Sequence, residues 1–144
     1  MAGAYRSLPA RLTLEVVTPE GLLLREEVDE VIAPGAQGYF GVRPGHTPFL
    51  CTLGLGEIGY RIGGVWGHLT CFWGFCEVLP DRVNLLAELG EKAEEIDLQR
   101  AEAAKARAQA QMMAIRAEGG YEEAHLAYMR AVTRLAVARK RRAS

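Results

Sequence analysis

Apolar and polar residues alternate from Leu12 to Val16, with Leu12, Leu14 and Val16 on one side and Thr13 and Glu15 on the other. A period of two is that of a half-buried strand. Thr18-Pro19-Glu20-Gly21 follows as a turn. Further short runs at roughly ten-residue intervals predict the strands of a sandwich or barrel: Leu22 to Arg25, Glu27 to Ala33, Ile58 to Ile62, Val65 to Thr70, Cys71 to Val78 and Val83 to Leu86. Gly63-Gly64 predicts a tight hairpin. Beyond Gly90 the period changes. Ala101, Ala104, Ala108, Met112 and Ile115 make one stripe, and Tyr121, Ala124, Tyr128, Ala131, Leu135 and Ala138 another, each at helical spacings of three and four. The first helix is expected to start at Glu91, with Glu91, Glu94, Glu95 and Asp97 at the positive end of its dipole, and to stop at Gly119-Gly120. The second runs from Tyr121 to about Arg139. The pattern as a whole predicts an α+β chain: an N-terminal antiparallel β-sandwich over residues 1–90 and a C-terminal antiparallel two-helix hairpin over residues 91–144.

Composition sharpens this division. The 144 residues carry 17 basic and 18 acidic side chains, a balance that excludes a highly charged disordered chain. Residues 1–90 hold 6 basic and 10 acidic groups, all six prolines and every tryptophan and phenylalanine. Residues 91–144 hold 11 basic and 8 acidic groups and no proline, and alanine is their commonest residue. Glycine and proline punctuate strands, whereas alanine, glutamate, lysine and arginine favour helix. No apolar run approaches the ~20 residues of a membrane-spanning helix. Three cysteines, an odd number, suit a reducing compartment better than a disulfide framework.

Little in the first module suggests catalysis. His46 and His68 lack a serine or carboxylate at a telling spacing, although catalytic partners are often distant in sequence. Gly54-Leu55-Gly56-Glu57-Ile58-Gly59 matches a dinucleotide fingerprint, but strand and turn residues follow where a helix is required. Cys71 and Cys76 are five apart, which on a regular strand puts them on opposite faces and argues against a shared metal ion. No metal site is expected.

The segment Pro34 to Pro48 is dense in turn formers, anchored by Phe40 and Val42 and closed by Pro44-Gly45-His46. Together with Thr18-Pro19-Glu20, Val28-Asp29-Glu30-Val31, Gly74-Phe75-Cys76-Glu77-Val78 and Leu86-Ala87-Glu88, this loop resembles the epsilon subunit family of F-type ATP synthases, called delta in mitochondria. The motifs recur in the family's order and spacing from about Leu12 to the end of the chain. The resemblance implies a non-catalytic rotor component of the central stalk, peripheral on the cytoplasmic face of the membrane, with no direct membrane insertion and no nucleic-acid partner. Its implied partners are the gamma subunit, the c-ring and the alpha and beta catalytic subunits. Carried onto this chain, Pro34, Gly35, Ala36, Gln37, Gly38 and Tyr39 would touch the c-ring, and Gly41, Val42, Arg43 and His46 would lie near gamma. Many relatives place an acidic residue where Tyr39 stands, so aromatic contact would replace a charge pairing there.

The helices suggest regulation. Alanine seams allow close approach but bury little apolar area at about 25 cal/mol per Å², so the hairpin is expected to be marginal and able to detach. In the family the folded hairpin permits rotation, and the extended one brakes ATP hydrolysis, its basic end meeting acidic catalytic subunits. Read without the family, Arg139-Lys140-Arg141-Arg142 is a solvated basic tail. Ile96-Asp97-Leu98-Gln99-Arg100-Ala101 also fits the motif of ATP-binding relatives. Arg107, Arg130 and Arg134 would join Arg100 around a triphosphate. Asp97 and Glu91 would accept from adenine or ribose, and Ile96 and Ala101 would flank the base. With no phosphate-binding glycine loop, such a site would sense ATP as a regulatory ligand without cleaving it, and no cofactor is required. The plain alternative is a salt-bridged helix face. A free-standing nucleotide-sensing adaptor is the rival to a synthase subunit, and an enzyme comes third.

Overall fold

In the computed structural model, which describes residues 8–114 and 119–141, the chain forms seven strands followed by two helices. The strands are β1 (Leu12–Thr18), β2 (Gly21–Val28), β3 (Glu30–Gly35), β4 (Gly38–Val42), β5 (Phe49–Ile62), β6 (Val65–Leu79) and β7 (Arg82–Lys92). A single 3₁₀ turn, Ala93–Glu95, leads into α1 (Leu98–Ala114) and α2 (Tyr121–Ala138). The alternation of β1 does what it predicts, because Leu12, Leu14 and Val16 are all fully buried.

The strands form one sheet in the order β2-β1-β7-β6-β5-β3-β4. Neighbours pair antiparallel except β1 and β7, which run parallel, so one pair departs from the expected antiparallel sandwich. β2 and β5 are four places apart in that order and still touch. A flat sheet forbids such a contact, so the sheet folds over on itself into two layers. Leu14, Val28, Val31, Ile58, Leu69, Val78 and Leu85 fill the space between. The long strands β5 and β6 carry this closure: the predicted runs Val65 to Thr70 and Cys71 to Val78 merge into β6, and β5 starts at Phe49, well before the predicted run Ile58 to Ile62.

β6 turns at Trp73 and Gly74, which have φ of 60° and 141°. The registers with β5 and β7 both skip Trp73. The alternation therefore changes phase, and Cys71 and Cys76 both enter the core, so the sequence argument that placed them on opposite faces does not hold. Burial pushes both thiols up to about 12. Cys51, the cross-strand partner of Cys76, is only partly buried.

The first helix begins later than expected. Glu91 and Lys92 pair with Thr70 and Leu69 and so extend β7, and the Glu91 amide donates to the buried Thr70 hydroxyl at 2.9 Å. The ladder supplied by the long β6 outcompetes helix propensity there. Asp97 then caps α1, its carboxylate accepting the Arg100 amide at 3.1 Å. The two helices pack antiparallel, with Ala101, Ala108, Ala124, Ala131, Leu135 and Ala138 buried. Tyr121 at the start of the predicted α2 stripe is exposed, and Ile115 and Arg142 lie outside the described residues. The hairpin is folded against the sheet, its Leu135, Val137 and Ala138 clustering with Ala93 and Ile96.

Two outcomes test this account. A Cβ on Gly74 would meet the Leu86 carbonyl oxygen, in a backbone conformation that side chains rarely adopt. Gly74→Ala is expected to lower unfolding free energy by about 2–4 kcal/mol, read by denaturant titration. In native protein at pH 8, thiol reagents should modify Cys51 first, while Cys71 and Cys76 react only on unfolding, as peptide mapping will show.

Candidate functional site

A cavity of about 370 Å³ opens where β7, the 3₁₀ turn and both helices meet. Glu91 enters it from the sheet; Ile96 and Asp97 come from the connection; Arg100, Ala101 and Arg107 come from α1 and Arg134 from α2. The fold thus gathers seven of the eight residues anticipated for a nucleotide. The eighth, Arg130, sits one turn away and lines a separate cavity with Gln111 and Glu123. Glu95, which the sequence argument left out, also lines the first cavity.

The cavity is electrically mixed. Arg134 gives a 2.6 Å hydrogen bond to Glu91, and its guanidinium lies 5.0 Å from the centroid of buried Phe72, a cation–π distance. Arg134 is thereby fixed from two sides. Arg100 and Arg107 carry no ion pair among the described residues, which leaves two guanidinium forks open to an anion. Asp97 spends one carboxylate oxygen on the helix cap. The plain alternative, a salt-bridged face of Asp97, Arg100 and Arg107, is not what the side chains form.

At another edge, β3 and β4 make a tight hairpin in which Gly35 pairs with Gly38 around Ala36 and Gln37. Ala36, Gln37 and Gly38 are exposed, but Pro34 is buried. Tyr39 folds back over Gly56, where no Cβ would fit, and its hydroxyl accepts the Glu57 amide at 3.0 Å. Nearby, Arg43 pairs with Glu30 at 3.4 Å, Gly41 is exposed on the edge strand, and His46 contacts the Thr47 carbonyl oxygen at 2.7 Å. Val42 is fully buried in the core and presents nothing outward.

Two further features involve none of the predicted site residues. Leu22, Val17, Leu86 and Phe75 are register partners in turn across β2, β1, β7 and β6, and form an outward apolar row. Leu22, Phe75 and Leu86 are each more than half exposed. Beside it runs a polar row of Glu15, Asn84 and Glu77. The available signal was apolar residues at positions where alternation calls for polar ones. Glu57, second, joins His68 at 2.6 Å and Lys140 at 2.8 and 3.0 Å. His68 therefore does have a carboxylate partner, on the neighbouring strand.

Two family models cover nearly the whole chain: the beta-sandwich domain of the ATP synthase delta/epsilon chain over residues 11–93, and its long alpha-helix domain over residues 94–139. The chain belongs to the ATP synthase delta/epsilon chain family. It is 49% identical over 134 residues to an ATP synthase epsilon chain of Solibacter usitatus, spanning 93% of this chain and all of that one. An epsilon chain of a Geobacter species is 47% identical over 131 residues, or 90% of this chain and 95% of the relative. In fold, it matches a chain in the mitochondrial ATP synthase of Euglena gracilis with a TM-score of 0.77 at 21% identity, covering 89% of this chain and 81% of that one.

The basic end of this delta/epsilon chain is not simply solvated. Arg139 pairs with Glu102 on α1 at 3.2 Å, and Arg141 donates to the Ile96 carbonyl at 2.9 Å. With Lys140 on Glu57, all three described cations of the tail have partners inside the chain. No described helix is long and apolar enough to cross a membrane.

Proposed function

We propose that this delta/epsilon chain is a non-catalytic central-stalk subunit that couples gamma to the c-ring and restrains ATP hydrolysis through its hairpin. The hairpin senses ATP in the cavity between β7 and the helices. The observation that carries the nucleotide part is that cavity: two unpaired guanidinium groups, a third held by Glu91, and the apolar Ile96 and Ala101 within reach of one ligand. ATP bound there bridges the sheet and both helices, so it favours the folded hairpin. Arg130, one turn beyond, reaches the outer phosphate only if its side chain turns toward Arg134. The outward end of the β3–β4 hairpin, Ala36 to Gly38 with the exposed ring of Tyr39, faces the c-ring. The apolar row with its acidic border suits a basic amphipathic surface of gamma, and Gly41, Arg43 and His46 give gamma a second, separate contact. Such a subunit lies on the cytoplasmic face of the membrane without entering it.

Isothermal titration of the whole protein with ATP should give a saturable heat that Arg107→Ala weakens about tenfold, the worth of one charge-assisted hydrogen bond. An absence of heat at millimolar ATP, or the same affinity in the variant, overturns the nucleotide reading. For the stalk, Phe75→Asp with Leu86→Asp should keep the native circular dichroism and lose more than about tenfold in affinity for gamma, since a buried charge without a partner is costly. Undiminished co-purification would remove this face from the gamma contact.

A further inference from the structure

Lys140 lies just beyond α2, and Glu57 lies in the middle of β5, 83 residues away, yet the ammonium reaches both carboxylate oxygens at 2.8 and 3.0 Å. Glu57 is mostly buried, with its side chain 18% exposed, whereas Lys140 is half exposed. The carboxylate is aimed by its surroundings: His68 on β6 holds the same oxygen at 2.6 Å, and the Tyr39 hydroxyl holds the Glu57 amide. A preset anion on the sheet thus meets a cation at the end of the hairpin. The apolar contact that docks α2 on the connection is small, consisting of Leu135, Val137 and Ala138 against Ala93 and Ile96. Lys140 follows these residues directly, so it cannot stay on Glu57 if they lift away.

We propose that Glu57 and Lys140 form a catch that holds the end of the helical hairpin on the sheet, with His68 as the residue that positions the carboxylate. The catch lies outside the nucleotide cavity and contributes no ligand to it. It acts on that cavity by keeping Arg134 and Glu91 together, a consequence that rests on the ATP reading above, whereas the catch itself rests on geometry alone.

Hydrogen exchange of the full-length protein, followed by mass spectrometry without nucleotide, reads the docking equilibrium through amides of the last turns of α2. Lys140→Ala and Glu57→Gln are each expected to speed exchange there about two- to fivefold, the range of a partly exposed ion pair. β1 and β7 should be unchanged. Lys140→Arg should restore slow exchange, and Arg11→Ala, which removes a cation paired within the sandwich, should have no effect. Added salt should speed α2 exchange in the wild type and less so in Lys140→Ala, which keeps the Arg134–Glu91 pair. Exchange in Lys140→Ala and Glu57→Gln equal to wild type overturns the catch, as does an equal effect of Arg11→Ala. Saturating ATP then separates the two readings: it should slow α2 exchange in both wild type and Lys140→Ala. If it slows neither while Lys140→Ala remains fast, the nucleotide reading falls and the catch stands.

Discussion

The molecule depends on a single sheet closing into two layers, and that closure turns on the change of phase in β6. Trp73 and Gly74 adopt positive φ in mid-strand, with the Gly74 backbone pressed on the Leu86 carbonyl at a distance no side chain tolerates. Before this point β6 pairs with the far end of β7, and after it with the near end. The same strand therefore serves both layers, and it carries Thr70 to Glu91 and Phe72 to Arg134. The cavity between β7 and the helices is in this sense a product of sheet closure, since its sheet wall exists only because β7 extends past Gly90.

The hairpin is held differently. Its helix seam is mostly alanine, so packing gives close approach with modest buried area. Polar contacts supply the rest: Arg134 on Glu91, Lys140 on Glu57 and Arg141 on the Ile96 backbone carbonyl. Each partly exposed ion pair contributes about 1 kcal/mol or less, so none of them fixes the hairpin alone. A few such contacts over a small apolar cluster give a docked state that modest ligand binding can outweigh or reinforce. The sandwich core, with Leu, Val and Ile at full burial, has no comparable softness.

Much of this was legible in the sequence, and the failures have local causes. The alternation of Leu12 to Val16 and the helical stripes gave element types, because burial on one face leaves a direct periodic trace. The first helix starts later than the sequence predicts because Glu91 to Asp97 has the charge order of a helix N-terminus, while the deciding partners on β6, Thr70 and Leu69, are more than twenty residues away. The cysteine argument failed because nothing in the period of two announces a positive φ at tryptophan. Ile96, Asp97, Arg100, Ala101 and Arg107 come together because local helical spacing survives folding; Arg134 joins them because α2 seats it on Glu91 and Phe72, and Arg130, one turn earlier on α2, falls short. Glu57 and Lys140 left no signal, as a contact across 83 residues has no period.

The division of charge along the chain takes on a physical meaning in the folded hairpin. In both ion pairs that join the modules, the acid belongs to the sandwich and the base to the second helix or its end: Glu91 with Arg134 and Glu57 with Lys140. With the division placed at Lys92, where β7 ends, the sandwich still has an excess of acidic groups and the hairpin an excess of basic ones, which is an attraction between the two modules and not two unrelated surfaces. Such an attraction is screened over about 8–10 Å in physiological salt, so it acts on the hairpin only when the hairpin is already close. It stabilises the docked state without drawing the helices back from a distance. A hairpin once released is free to take its cations to another acidic surface, and the same residues that fasten it to the sheet are those it would then offer.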